Sequence, residues 1–514
     1  MARLFVFAIG GTGSRVLKSL TMLLAAGVKP QAEREYEIVP IIIDPHKSNK
    51  DLQRTTDLMD WYYKIVSEVG TGNGFFATPV TTLDKLSSKE TKLQNNFTFN
   101  LQEVSDTRFR EYLNYNSLSE VDKAFTDLMF SGRTINKNGQ QTDLLDIEMD
   151  IGFVGNPNVG SVVLNQFKDS DEFKMFSTQF SEHDRVFIVS SIFGGTGAAG
   201  FPIILKNLRN AEFLTNEGGG HTLDNVGSLT NARIGALTVL PYFNLDNDPK
   251  SPIQKSDFIA KTKAALYYYK ENITGNRSVN AMYYIGDDFV GKPYPNDPGD
   301  DGQQNKAHIV ELASALAIID FLEIPDSQLN CVEGKANSPV YREFGIKEDV
   351  SLVNMLHLGN KTQREIDLKL SQLFFFKKYV DEQLKSSLNH QAWSTDSRPD
   401  SPAISNSFLT TPFYRDFFTR FMNSYSQWLT ELSDNSRGFA PFNLKSPLKA
   451  SINEIKPKSG FMTKEIDYAG YDDELSGFSF GNFSSVSQKF IKIFFSATEK
   501  MLTKKFDHFK AISK

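Results

Sequence analysis

The tetrapeptide Gly-Gly-Thr-Gly occurs twice in this chain, at Gly10–Gly13 and at Gly194–Gly197. The first follows the apolar run Leu4–Ile9 and the second the apolar run Val186–Val189. Each precedes a stretch that reads as a helix. A glycine loop at a strand-to-helix joint lets backbone N–H groups approach an anion without a Cβ in the way, and the helix N-terminus adds a favourable dipole. One such loop is equally a tight turn or a dinucleotide-binding loop, here Gly11-x-Gly13 with Val16 where a third glycine is usual. Two are hard to explain as turns, and a dinucleotide-binding fold needs only one. The pair points to a nucleoside triphosphate cradled between both loops, with the Thr12 and Thr196 hydroxyls as further donors.

The surrounding sequence predicts an α/β fold with a Rossmann-like parallel sheet. Val16, Leu17, Leu20, Leu23 and Leu24 recur at helical spacing, with Gly27 and Pro30 as a stop. Ile38–Ile43 is a second apolar run ending at Asp44. Strand, helix and strand in succession form a βαβ unit, which implies parallel pairing. Ile234–Leu240 and Ala281–Ile285 are further strand candidates. Residues 50–148 read as a polar, helix-leaning insertion. Gly152–Gly160 is a turn-rich loop that leads into Ser161–Phe167, while Asn216–Thr230 and Asp287–Gln304 are polar loops. Asn305–Leu322 is apolar on nearly every face beyond its first turn, the pattern of a helix buried on all sides between two packed bodies. From about residue 323 the chain turns helix-rich, with long helices expected over Thr362–Leu388 and Pro412–Leu432. The first opens with Thr362 and Glu365 at capping-box spacing. The expected division is a nucleotide-binding domain at 1–304, a central helix at 305–322 and a divergent C-terminal domain at 323–514.

Composition narrows the function classes. The 514 residues suggest roughly three domains of ordinary size, or two large ones. Lys plus Arg number 56 against 62 Asp plus Glu, a net charge of −6, which argues against a coat for nucleic acid. The single cysteine, Cys331, permits neither an intrachain disulfide nor a Cys-rich zinc site, so a reducing cytoplasm is expected. The stretch Met1–Ala26 is broken by glycines and by Arg15 and Lys18, unlike an export signal. Val186–Leu205 lacks charge, but its four glycines and Pro202 suit a strand, a loop and a helix start rather than a membrane span. Gln488–Lys514 is amphipathic, with seven lysines against Glu499 and Asp507, a net +5. It reads as a terminal helix docked on its own core, with membrane or partner contact as the alternative. Phe374–Phe376 reads as core. The acidic loop Asp297–Asp301 lacks EF-hand spacing.

In the order of its motifs the chain resembles the tubulin superfamily, in particular its bacterial, FtsZ-like branch of GTPases. AIGGTGSR, Ala8–Arg15, is similar to the first phosphate loop, and FGGTGAA, Phe193–Ala199, to the second, departing at Phe193 and Ala199 where glycines are usual. The resemblance covers about residues 1–322, less the insertion. It implies GTP or GDP held by Gly10, Gly11, Thr12, Gly13 and Ser14, and by Gly194, Gly195, Thr196, Gly197 and Ala198. Gly155 and Asn156, in GNPNVG, match the loop that senses the terminal phosphate. Asp44, in IIIDPHKSNKDL, matches the acidic residue near the phosphates or their Mg²⁺. Asp246, in VLPYFNLD, falls at the ribose. Arg15, Asp287, Asn305 and His308 fall near the base, Arg15 and Asp287 standing where asparagines are usual. A carboxylate at Asp287 could accept two hydrogen bonds from guanine. His308 is also read as a partly buried core histidine.

The same resemblance implies head-to-tail self-association, in which an acidic loop after the central helix meets the next subunit's nucleotide and orients the attacking water. Glu348 and Asp349, in FGIKEDVSL with Gly345 at the turn, are the candidates, and a solvated charged turn is the competing reading. The expected function is a cytoplasmic GTPase forming filaments or rings. A non-polymerising GTP-dependent switch or scaffold, meeting a partner protein through the C-terminal domain or its basic helix, is the first alternative. An NAD(P) oxidoreductase using only the first loop is the second. No direct nucleic-acid contact is expected.

Overall fold

The protein is described from a computed structural model, over residues 1–46, 49–86, 97–135, 140–149, 152–153, 155–211, 223–243, 255–287, 305–341, 346, 349–398, 400–458 and 466–513. Its principal elements run β1 (Ala2–Ile9), α1 (Gly10–Ala25), β2 (Tyr36–Ile43), α2 (Lys50–Val69), α3 (Pro157–Leu164), α4 (Asp171–Gln179), β3 (Arg185–Ser191) and α5 (Gly195–Arg209). They continue with β4 (Arg233–Val239), β5 (Ala281–Ile285), α6 (Ile309–Glu323), β6 (Val340–Tyr341), α7 (Asn360–Glu382), α8 (Thr419–Ser433) and α9 (Val486–Lys505).

The strands form one parallel sheet in the order β6-β5-β4-β3-β1-β2, with the two-residue β6 on one edge. The expected α/β class is what the structure shows: a parallel sheet followed by a helix-rich C-terminal region. Side chains alternate along each strand, so β1 feeds two cores. Phe5, Phe7 and Ile9 join one core with residues of α3, α4 and α5. Leu4, Val6 and Ala8 join the other, shared with α1, α2, α6 and the C-terminal helices. Both faces are covered, which is why the strands read as continuous apolar runs.

Several boundaries differ from expectation. The helix α3 begins at Pro157, inside the turn-rich stretch expected over Gly152–Gly160, because proline suits the first helical position. The helix α2 falls inside the expected insertion, yet Leu58, Met59, Tyr62 and Ile65 are buried in the shared core. The central helix begins at Ile309, not Asn305, with His308 as its cap. The helix α7 starts at Asn360, behind Gly359, so Thr362 and Glu365 lie inside it and form no capping box. Phe374, Phe375 and Phe376 are core. The helix α9 docks on this same core through Phe490, Ile491 and Phe494, as expected of a terminal helix. Among the described residues, no helix is long and apolar enough to cross a membrane.

Candidate functional site

The two glycine loops meet at the carboxyl end of the sheet. A Cβ built on Gly10 would lie 3.5 Å from the Cβ of Thr196 and 3.6 Å from the backbone nitrogen of Gly197. The third loop joins them: a Cβ on Gly195 would lie 3.0 Å from the nitrogen of Gly155 and 3.1 Å from that of Asn156. The N-termini of α1, α3 and α5 therefore converge, and the first N–H groups of each helix have no intrahelical partner. That is the composition of an anion site: backbone donors, helix dipoles and no intervening side chain.

Glycine is required for two different reasons. Gly10 has φ +71°, in the left-handed region. Gly13 and Gly197 have ordinary φ but no room, since a Cβ would fall 2.6 Å from the Ala8 carbonyl carbon and 2.8 Å from the Ser191 backbone, respectively. These glycines let α1 and α5 seat directly on β1 and β3. Ala198 begins the intrahelical ladder of α5, donating from its N–H to the Gly194 carbonyl. Thr12 is buried and Thr196 half-buried, while Ser14 is fully buried. Lys261, which sequence reasoning missed, donates from Nζ to the Gly155 carbonyl at 2.9 Å, setting a cation beside the third loop.

Asp44, at the end of β2, accepts the backbone N–H of His46 at 3.0 Å. Burial pushes its carboxyl up to about 6, against the His46 hydrogen bond and the charge of Arg15. Among the described residues no three His, Cys, Asp or Glu side chains gather to hold a metal. A cation at Asp44 would be held by one carboxylate together with phosphate and water, as Mg²⁺ usually is.

The residues expected near the base have other partners. Arg15 donates from Nε to Glu311 at 2.6 Å and from Nη2 to the Tyr242 hydroxyl at 3.1 Å, and that hydroxyl donates to Glu311 at 3.1 Å. Burial opposes the charge on Arg15, but Tyr242, Glu311 and Asp51 more than offset it. Asn305 donates to Asp51 from its backbone N–H and its side chain, at 3.0 and 2.9 Å. The His308 Nδ1 accepts the N–H of Val310, while Glu311 accepts the N–H of His308, both at 3.1 Å. Burial lowers the His308 pKa. Together these contacts pin the start of α6 to α1 and α2. Asp287 accepts from Arg437 Nε at 2.5 Å.

Asp349 accepts from Arg437 Nη2 at 2.8 Å, so one guanidinium clamps both aspartates. The strand β6 runs parallel to β5, which returns the chain to the end of the sheet where the glycine loops lie. Asp349 therefore lies beside Asp287, at the glycine-loop end of the sheet. Asp246 and Glu348 lie outside the described residues.

The missed residues extend from this network into the C-terminal region. Glu431 of α8 accepts Lys18 Nζ at 2.9 Å and the N–H of Ala307 at 3.1 Å, and also pairs with Arg54. Burial lowers the Lys18 pKa against the pull of Glu431. Glu431 itself is held ionised: burial raises its pKa, but Lys18 and Arg54 lower it further.

No family model matches the sequence, and no curated protein does. Among solved structures, the chain shows distant similarity to two tubulin-like proteins. One is CetZ2 from Haloferax volcanii, as a GTPγS-bound protofilament: 11% identity, 63% of this chain and 58% of that chain, TM-score 0.26. The other is TubZ of Bacillus thuringiensis serovar israelensis, as a GTPγS-form protofilament: 12% identity, 84% of this chain and 81% of that chain, TM-score 0.27. An enoyl-acyl-carrier-protein reductase of Plasmodium berghei with triclosan matches at 11% identity over 66% of this chain and 96% of that chain, TM-score 0.20. All three superpositions are loose, and the α/β architecture stands on the strand order itself.

Proposed function

We propose that the converging loops hold the phosphates of a nucleoside triphosphate, and that the chain is a tubulin-like GTP-binding protein that assembles head to tail. The observation that carries this reading is the approach of the glycine loop after β3 to both the loop after β1 and the loop before α3, within about 4 Å of each. A dinucleotide site would need only the loop after β1. Asp44 would share Mg²⁺ with the phosphates. Arg437 would have to release Asp287 for that carboxylate to read guanine.

Head-to-tail assembly brings the opposite end of the sheet to the next subunit's nucleotide. A carboxylate at that end, just after α6, is Asp326, which pairs with Arg185 and Arg233 at the starts of β3 and β4; this reading gives it the role expected of Asp349. Arg185 Nη2 bonds it at 2.7 Å. Although burial raises its pKa, Arg185 and Arg233 hold it below the usual carboxylate range.

Nucleotide released from the purified protein by acid should be GTP or GDP; ATP or NAD there overturns the base assignment. Damage to Gly195–Gly197 should abolish binding, whereas an NAD(P) enzyme using the first loop alone would keep it. Assembly-stimulated hydrolysis should fall in Asp326→Asn with nucleotide affinity retained, and persist in Asp349→Ala. A second reading, a GTP-dependent switch for a partner protein, is favoured by the continuous path of ion pairs from Arg15 through Asp51 and Arg54 to Glu431. Sedimentation with GTP against GDP separates the two, since a switch does not pellet.

A further inference from the structure

The helix Glu120–Met129, between β2 and α3, forms for local reasons. Ser119 caps it by accepting the Asp122 N–H at 3.2 Å, and Glu120 and Asp122 lie in its first turn. It is anchored near its C-terminal end, where the Tyr115 hydroxyl donates to Asp127 at 2.8 Å and the buried Phe130 packs on Phe109, ring centroids 4.8 Å apart. None of its ten residues is buried. Yet Val121, Phe125, Leu128 and Met129 form one apolar stripe at i, i+4, i+7 and i+8, exposed by 65, 62, 73 and 66%. A helix of this length is marginal in water without a packed face. At about 100° per residue, Asp122 falls on one flank of the stripe and Glu120 and Asp127 on the other, with Lys123 behind.

The same chain carries a complementary surface. An open groove of about 530 Å³ runs between α3, α5 and the helix Lys255–Tyr269. Its lining is largely small and apolar, including Ala199, Pro202, Ile203, Ala264 and Ala265, which lets a helix approach closely. Lys206 on the α5 wall and Lys261 on the opposite wall are both exposed, and among the described residues no carboxylate lines the groove. Acids on both flanks of an apolar helix thus match a lysine on each wall of an apolar groove. Both surfaces are exposed, so they do not cover one another within a chain. Strand order separates them. The segment carrying the acidic helix joins the sheet at β2, where Phe99 donates its N–H to the Ile42 carbonyl at 2.7 Å. The helix Lys255–Tyr269 crosses from β4 to β5, toward the other edge.

We propose that the acidic helix of one copy of this chain lies in the groove of the next copy, its acids facing Lys206 and Lys261. The mode is an amphipathic helix in a groove, with Val121, Phe125 and Leu128 as anchors. The two surfaces differ and lie on opposite flanks, so the contact is heterologous and repeats from copy to copy across the strands. It needs no nucleotide and stands apart from the reading above. A lipid surface does not fit, since acids flank the apolar stripe where a membrane-surface helix carries lysine.

The test uses the full chain without added nucleotide, by sedimentation velocity and light scattering over a concentration series. The weight-average mass should rise with concentration up to about 100 μM, the regime of a small interface. Phe125→Gln/Leu128→Gln, which alters only exposed positions, and Lys206→Glu/Ala264→Glu should each weaken self-association at least about tenfold. An equimolar mixture of the two variants should form a dimer and grow no further, because the first keeps the groove and the second keeps the helix. Should one of them not fold, Val121→Gln/Met129→Gln replaces it on the helix, or Lys206→Gln/Tyr268→Gln in the groove. The proposal is overturned if the wild type stays monomeric, which leaves the helix to a different protein. It is equally overturned if either variant associates as the wild type does, or if the mixture stays monomeric.

Discussion

At the scale of single residues, the candidate site separates glycines that seat helices from glycines that leave room for a ligand. Gly197→Ala would force a Cβ to 2.8 Å from the Ser191 backbone, so it should cost about 1–3 kcal/mol of stability as well as nucleotide binding. Gly11 is exposed, and a Cβ there meets only Arg15 Nη1 at 3.5 Å. Gly11→Ala should therefore leave the unfolding midpoint unchanged or slightly raised, while nucleotide affinity falls. Parallel denaturant melts and nucleotide titrations distinguish the two. Asp44 adds a pH signature. Its folded pKa of about 6 lies above its ordinary value of 3.8, so the native state keeps a proton that the unfolded chain has lost. Stability from this group is present below pH 4 and is lost as pH rises through 6. Asp44→Asn should stabilise the nucleotide-free protein at pH 7.5 by on the order of 1 kcal/mol, with a smaller effect at pH 4.5. Urea melts at the two pH values check the sign.

At the scale of elements, the start of α6 is the joint that matters. His308 caps the helix, Glu311 takes Arg15, and the residue before the cap, Ala307, gives its N–H to Glu431. Replacing Glu431 leaves Lys18 and Arg54 facing one another in a largely buried place. Glu431→Ala should cost about 3–5 kcal/mol, the range for breaking a buried pair from one side. The Lys18→Met/Glu431→Leu double variant should recover much of that loss, because the buried lysine charge is removed with its partner and Arg54 keeps Asp51. A double-mutant cycle read by chemical denaturation measures both. If the joint transmits nucleotide occupancy, the recovered variant should still be stable but should no longer show nucleotide-dependent protection of α8 in amide exchange.

At the scale of the whole molecule, one hydrophobic core runs from β1 and α1 through α2 and α6 into α7, α8 and α9. The C-terminal helices are therefore not a separable appendage. Far-UV and near-UV circular dichroism should report a single coincident transition. A chain truncated before Val486 should lose Phe490, Phe494 and Leu502 from the core and fail to accumulate as a folded protein; a soluble, cooperative truncation product would overturn this.

The sequence by itself determined the five longer strands of the sheet, the α/β class, both glycine loops and the buried central helix. Each is local: apolar runs bounded by glycine declare a two-sided sheet, and an all-apolar helix declares burial on every side. Tertiary structure alone decided what the charged residues do. Arg15 lies one turn from the first glycine loop, yet its partner Glu311 is 296 residues away. Lys18 and Glu431 are 413 apart. Nothing in the neighbourhood of Arg15, Asp287 or His308 says whether the side chain faces a ligand or another part of the chain, because pairing of buried charge depends on proximity in space. The same is true of Asp349: the direction of the two-residue strand β6, invisible in its sequence, places that carboxylate beside Arg437 rather than at the far end of the molecule.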